Sequence, residues 1–142
     1  MNMNTYDFSD GNGQVAAHQH VNGGGWVADT AHVEDSAYVG PQATVRGAAV
    51  VRGNAFISDR ARVFGGAVVR DDAMIGGNAV VCGGATVEGG AIVCGNAVVS
   101  GDAAVGGNSI VNGDSIIIGS AVVTGGVIMS GNVVRGVAVK TS

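Results

Sequence analysis

The sequence predicts an all-β fold built from a short repeat. Three observations support this prediction: the 142-residue chain contains 26 Gly, 26 Val and 20 Ala, it contains no Leu, and it has an aliphatic residue at every sixth position over a long stretch. Val is branched at Cβ and favours strands, whereas Gly disfavours the interior of helices. A helical bundle is therefore excluded.

Composition and charge exclude several further classes. Charged residues make up 13% of the chain and hydrophobic residues 46%, so the chain is too apolar to be disordered, and its glycines lack the every-third spacing of collagen. The net charge of −4 gives no electrostatic reason to expect nucleic acid or an anionic membrane as a partner. Residues 1–13 are polar and no run of about 18 apolar residues occurs, so we expect a soluble protein that is not secreted.

The repeat is six residues long and runs without insertion from Val27 to Met129, which gives eighteen hexads. The first position is always Val, Ile or Met, and the fifth is Ala or Ser in all but two hexads. The third and fourth positions are rich in Gly, Asn and Asp, the residues of tight turns. Each hexad therefore predicts one short strand, with its first position facing inward, followed by a corner.

Corners at this spacing predict a triangular prism. With each corner turning the chain by about 120°, three hexads close one coil of 18 residues, and successive coils pair as parallel strands about 4.8 Å apart. We expect about six to seven coils, with the aliphatic side chains of each coil stacked on those at the same positions of the next.

Units such as Ile75–Val80 and Val105–Ile110 resemble the hexapeptide repeat of left-handed parallel β-helix proteins, over about three quarters of the chain. The left-handed winding is implied by this resemblance alone, because the general rule for crossovers favours the right hand. The family includes trimeric acyltransferases, γ-class carbonic anhydrases and a looser set of uncharacterised repeat proteins, often from phages or prophages. The resemblance implies a homotrimer and leaves the activity open, because one fold hosts many functions.

The repeat divides the chain into three segments. Residues 1–26 are expected to form an N-terminal cap and lead-in coil, residues 27–134 the β-helix, and residues 135–142 a C-terminal strand or tail. A repeat protein needs caps because an open end exposes apolar side chains and unpaired strand edges. Tyr6 and Phe8 suit such a cap.

The three histidines are candidate metal ligands or catalytic bases. His18 and His20 alternate along a predicted strand, and three imidazoles suffice to hold Zn²⁺. The acyltransferases of the family use a histidine as general base. His32, however, falls on another predicted face, and no loop interrupts the repeats. We therefore assign no catalytic residue, metal or cofactor, and keep the three histidines with Trp26 as candidate ligand-binding residues of the cap.

Four arginines of the second and third coils are candidate anion ligands. These are Arg46, Arg52, Arg62 and Arg70. Arg52 and Arg70 occupy the same hexad position on successive coils, so they are expected to stack in one outward column. Glu34 and Glu88 flank them in this column and predict a surface Glu-Arg-Arg-Glu ladder. The other two arginines are expected together on another face, and an anion held between stacked guanidinium groups is the alternative.

The two cysteines indicate in which cellular compartment the protein is expected. Cys82 and Cys94 occupy outward positions on different predicted faces, so we expect no disulfide between them. Free thiols favour a reducing compartment and hence the cytoplasm, or a virion if the chain comes from a phage.

One predicted face carries a large apolar residue on every coil. This column, which we name the apolar stripe, consists of Tyr38, Phe56, Met74, Ile92, Ile110 and Ile128. Apolar surfaces of this length usually mark an interface, so we expect self-association, most simply as a homotrimer. The alternative is that β-branched residues outside the prism serve strand propensity alone.

The sequence therefore predicts a non-enzymatic, rigid, oligomeric structural or binding module, with an origin in a phage or prophage implied by the looser resemblance. Its expected partners are copies of itself and a small anionic ligand or a protein at the cap. Two alternatives stay open: a trimeric enzyme like the acyltransferases or carbonic anhydrases, and a protein that sequesters a small anion between subunits.

Overall fold

The chain forms an all-β, parallel solenoid of about six coils. The computed structural model describes residues 5–9, 11, 13–135 and 138–140. Within these residues there are 22 strands, and they form three sheets, one for each face of a prism. None of the described segments is an apolar helix of membrane-spanning length.

The three sheets contain the following strands, in spatial order. Sheet 1 consists of β1 (Thr5–Asp7), β2 (Gln14–Gln19), β3 (Trp26–Ala28), β6 (Thr44–Val45), β9 (Arg62–Val63), β12 (Val80–Val81), β15 (Val98–Val99), β18 (Ile116–Ile118) and β21 (Val133–Arg135). Sheet 2 consists of β4 (His32–Val33), β7 (Val50–Val51), β10 (Val68–Val69), β13 (Thr86–Val87), β16 (Ala104–Val105), β19 (Val122–Thr124) and β22 (Ala138–Lys140). Sheet 3 consists of β5 (Tyr38–Val39), β8 (Phe56–Ile57), β11 (Met74–Ile75), β14 (Ile92–Val93), β17 (Ile110–Asn112) and β20 (Ile128–Ser130).

Parallel pairing joins each coil to the next at the 18-residue period of the solenoid. Val45 pairs with Val63 in sheet 1, and Ile75 pairs with Val93 in sheet 3. The predicted coil of three hexads is therefore confirmed. Because each residue finds its partner one coil away, every coil serves as the hydrogen-bonding template of the next.

The interior is filled by the first and fifth positions of the hexads. Ile57 and Ile75 from the first position are fully buried, as is Ala61 from the fifth. The two serines at the fifth position are buried with their hydroxyls bonded: Ser109 Oγ donates to the backbone oxygen of Gly125 at 3.1 Å, and Ser115 Oγ to that of Asn112 at 2.8 Å. The narrow core therefore accepts a hydroxyl only where a backbone carbonyl receives its proton.

The third position of the hexads turns the corners in the left-handed backbone region. Gly65 has φ of 70°, and a Cβ built on it would lie 2.9 Å from the backbone nitrogen of Gly83 on the next coil. Glycine is required there both by conformation and by the close approach of the coils. Asp59 and Asp71 adopt the same region with φ of 55° and 63°.

The N-terminal end is covered by an antiparallel hairpin and a loop. β1 pairs with β2, and β2 pairs with β3 of the solenoid. In the loop after β2, the N–H of Gly25 donates to the backbone oxygen of Val39 at 2.9 Å, and the N–H of Val39 donates to that of Asn22 at 3.0 Å. The outer edges of sheets 1 and 3 are thereby covered at this end.

At the other end, the ladder continues past Met129 with shorter spacing. Val134 pairs with Ile117, and the sequence separation of this pair is one residue less than a full coil of 18 residues. Val139 pairs with Val123, and the separation of this pair is two residues less than a full coil. Each of the last two corners is therefore one residue shorter than the others. β21 falls at the end of the predicted β-helix segment, and β22 falls within residues 135–142, where the sequence predicts a strand or tail; residues 136, 137, 141 and 142 lie outside the described part.

Candidate functional site

The apolar stripe forms one continuous column on sheet 3. Each of its residues pairs with the next one on the adjacent strand. The rings of Tyr38 and Phe56 stack with their centroids 4.4 Å apart. Phe56 is 37% exposed, Met74 43% and Ile128 72%, while the others are half-buried. The structure therefore brings the six residues together as a surface.

A second outward column on sheet 3 contains only small or uncharged residues. This small-residue column consists of Gly40, Ser58, Gly76, Cys94, Asn112 and Ser130. Sheet 1, in contrast, carries Arg46 and Arg62 in its outward columns, and sheet 2 carries Arg70 and Glu88. Among the described strands, those of sheet 3 alone present an uncharged face. The sequence carries a signal for this column as well, because its residues occupy the second hexad position at intervals of one coil.

A cleft of about 610 Å³ lies between the hairpin and sheet 1. Its lining includes Tyr6, Phe8, Gln42, Thr44, Arg60 and Arg62. The Tyr6 ring stacks on that of Trp26 with centroids 4.7 Å apart, and the Phe8 ring meets Tyr6 edge-on at 4.8 Å. Trp26 therefore supports the aromatic wall of this cleft. The sequence did not reveal the cleft, because it depends on how the hairpin folds back.

Arg46 and Arg62 both lie on sheet 1, as the sequence predicts, but they border different grooves. Arg46 Cζ lies 4.0 Å from the centroid of the Phe64 ring, a cation–π contact one coil along, whereas Arg62 lines the cleft. Arg46 borders a different groove, which contains Ala28 and Asp29. The shared face of Arg46 and Arg62 is therefore as expected, and Arg60 is the second arginine of the cleft that Arg62 lines.

The expected Glu-Arg-Arg-Glu ladder is half formed. Arg70 Nη2 donates to Glu88 Oε1 at 2.7 Å, and this hydrogen bond with its attraction raises the pKa of Arg70. Glu34 Oε1 instead accepts the backbone N–H of Gly53 at 2.7 Å. Arg52 makes no ion pair with any residue that the structure describes. In this column, the charge of Arg70 is therefore neutralised by Glu88.

The histidines do not form one site. His18 is exposed and its Nδ1 donates to Asp29 Oδ1 at 2.8 Å. His20 is buried, and its Nε2 donates to the backbone oxygen of Ala37 at 2.7 Å. His32 is exposed in β4 of sheet 2. The described residues contain no group of three His, Cys, Asp or Glu side chains that could hold a metal ion.

The cysteines are free thiols on different sheets. Cys82 follows β12 of sheet 1 and Cys94 follows β14 of sheet 3, so no disulfide joins them. Both are half-buried. Burial raises the pKa of the Cys82 thiol, an effect that the positive charge of Arg46 partly opposes.

Compared with known proteins, the chain matches no family model, no curated protein and no solved structure. What the structure shares with the β-helix proteins is the parallel solenoid with coils of 18 residues.

Proposed function

We propose that this protein is a rigid, non-enzymatic module that assembles with copies of itself through sheet 3, as a homotrimer. The observation that supports this most strongly is the uncharged face: the apolar stripe and the small-residue column lie side by side on all six coils. Interfaces are distinguished from other surface by the depletion of charge at their centre, and a contiguous exposed apolar column is a common mark of such a site.

A second copy of the chain is the partner that fits this face. The stripe presents one large residue on each coil, and the small-residue column beside it leaves space on the same coil. Successive coils are about 4.8 Å apart in every copy. The large residues of one copy can therefore pack over the small residues of the next along a height of about 29 Å. A charged partner finds no complementary charge on this face.

The threefold stoichiometry is supported by the resemblance. Around a threefold axis each copy places its stripe against the small-residue column of one neighbour and its small-residue column against the stripe of the other, so the contacts close into a ring. Three prisms in this ring keep all caps at the same end and hold the outer faces in fixed positions. A twofold axis parallel to the axis of the solenoid would also pair the two columns, and the measured mass distinguishes this dimer from the trimer.

Rigidity supports a structural or binding role. The coils are joined by backbone hydrogen bonds along their whole length, for example from the N–H of Val80 to the oxygen of Ala97 at 2.9 Å. The enzymatic alternative is less well supported, because His18, His20 and His32 lie in three different surroundings. The looser resemblance and the free thiols favour a module of the cytoplasm or of a phage particle.

Light scattering coupled to size exclusion, over a hundredfold range of concentration, tests the assembly. We expect a mass about three times 13.9 kDa for the wild type. Met74→Glu combined with Ile92→Glu introduces charge into the stripe and should give monomers. Val68→Glu combined with Thr86→Glu is the matched control, because this pair occupies the same hexad position on sheet 2. The control should remain trimeric, with circular dichroism showing that both variants fold.

A wild-type monomer at every concentration would overturn the assembly through sheet 3. So would a control that dissociates as readily as the stripe variant. A stable dimer would overturn the threefold arrangement.

A further inference from the structure

Two arginines meet at the cleft between the hairpin and sheet 1. Arg62 begins β9 and is paired with Thr44 on the preceding coil. Arg60 lies at the corner before that strand. Both side chains are exposed, and both line the cleft of about 610 Å³. Two positive charges therefore border one cavity of the size that small ligands occupy.

Neither guanidinium group is neutralised by a carboxylate that the structure describes. Arg60 Nε makes a long hydrogen bond of 3.4 Å to the Gln42 carboxamide, and the Arg62 side chain makes no hydrogen bond or ion pair with a described residue. Asp7 also lines the cleft, and its Oδ1 accepts the N–H of Ser9 at 2.8 Å. Arg70, in contrast, is held by Glu88 at 2.7 Å. As far as the described residues go, no carboxylate engages these two guanidinium groups, so both can donate to an anionic ligand.

The opposite wall of the cleft is aromatic. Tyr6 and Phe8 line it, and Tyr6 is held from behind by its stack on Trp26. Aromatic side chains offer a stacking or edge contact to a flat ring, and guanidinium groups match the oxygens of a phosphate. The chain as a whole carries a net charge of −4. An anion is therefore attracted here by the nearby arginines and not by the overall charge, which salt screens at longer distances.

We propose that this cleft binds a small molecule that carries both a phosphate group and a planar ring. Arg60 and Arg62 bind the phosphate, and Phe8 contacts the ring. This site differs from the arginine column of sheet 2 and from the stripe of sheet 3, so it does not depend on the assembly proposed above.

Tryptophan fluorescence of the full chain tests the proposal, because Trp26 is the only tryptophan and it stacks on a residue that lines the cleft. Adenosine monophosphate should change the emission saturably and should bind more tightly than inorganic phosphate. Arg60→Gln and Arg62→Gln should each weaken its binding by about 10-fold or more, the usual effect of losing a hydrogen bond to a charged group. Arg52→Gln is the matched control, an exposed arginine of sheet 2, and should bind like the wild type.

Phe8→Ala tests the contact with the ring separately from the contact with the phosphate. It should weaken binding of adenosine monophosphate and leave binding of inorganic phosphate unchanged. Isothermal titration calorimetry on the same variants measures binding without relying on Trp26. The proposal is overturned if neither probe binds at millimolar concentration, or if Arg52→Gln weakens binding as much as Arg62→Gln. Equal affinity for both probes would overturn the ring contact.

Discussion

Asp59 accepts the backbone N–H of Gly77, one coil further along, through its Oδ2 at 3.0 Å, while its own backbone turns the corner with φ of 55°. Asp71 and Gly89 repeat this relationship, with the same distance of 3.0 Å. Aspartate tolerates the left-handed region better than most residues, and its carboxylate reaches the corner of the next coil. An aspartate at the third position therefore joins two coils, which glycine there cannot do through a side chain.

Replacing Asp59 should show how much its tolerance of the left-handed backbone and its hydrogen bond to Gly77 each contribute to stability. Asp59→Ala keeps the left-handed backbone without a favourable side chain and removes the acceptor, so we expect a loss of about 1–3 kcal/mol in the free energy of unfolding. Asp59→Asn is the control, because it retains an oxygen acceptor and tolerates positive φ, and it should lose less than about 1 kcal/mol. Urea unfolding measures both. An equal loss in the two variants would contradict the role given to the side-chain oxygen.

Two neighbouring glycines should respond differently to replacement by alanine. Gly65→Ala places a Cβ 2.9 Å from the backbone nitrogen of Gly83 at φ of 70°, so we expect it to lower stability by more than about 1 kcal/mol. At Gly66 the φ is not in the left-handed region, and the nearest atom, the oxygen of Gly83, is 3.6 Å from a built Cβ. Gly66→Ala should therefore be neutral or stabilising by up to about 1 kcal/mol.

Thermal or urea unfolding of the two glycine variants under the same conditions provides the comparison. Both changes add one methyl group at adjacent positions, so differences in bulk or expression do not explain a difference in stability. A similar loss at both positions would contradict the assignment of the corner to the third hexad position.

Much of the fold could be predicted because its long-range contacts repeat a local pattern. Once the hexad and the three-sided coil were recognised, the partner of each residue followed by moving one coil along the chain, as the pairing of Met74 with Ile92 shows. The same offset of 18 residues places Phe64 beside Arg46, a cation–π contact that the pattern of charges alone does not indicate.

The cleft could not be predicted in this way. It depends on the antiparallel return of β1 and β2, outside the repeat, which brings Tyr6 against Trp26. A hairpin of this kind has no partner at a fixed sequence offset, so its docking is decided by packing and not by period. The shorter corners after Met129 were likewise hidden, since a repeat that changes from six to five residues loses its register in the sequence.

The Cys82 thiol should react slowly with alkylating reagents at neutral pH. Burial raises the pKa of Cys82, so a smaller fraction is thiolate at a given pH, and the thiolate is the reactive form. In a Cys94→Ser variant, where Cys82 is the only cysteine, the pH midpoint of alkylation should lie above that of the same variant unfolded in urea. Coinciding midpoints would contradict the effect of burial, whereas a merely lower rate at all pH values would indicate restricted access.

The two histidines of the cap should differ in their importance for stability. His20 is buried and donates through Nε2 to the oxygen of Ala37 at 2.7 Å, so His20→Ala leaves a buried carbonyl without this partner and should cost about 1–3 kcal/mol. His18 makes an exposed contact with Asp29, and His18→Ala should cost less than about 1 kcal/mol. Urea unfolding followed by Trp26 fluorescence measures both, because β3 contains Trp26 and pairs with β2. Equal losses would contradict the assignment of His20 as a structural link between the cap and the first coil.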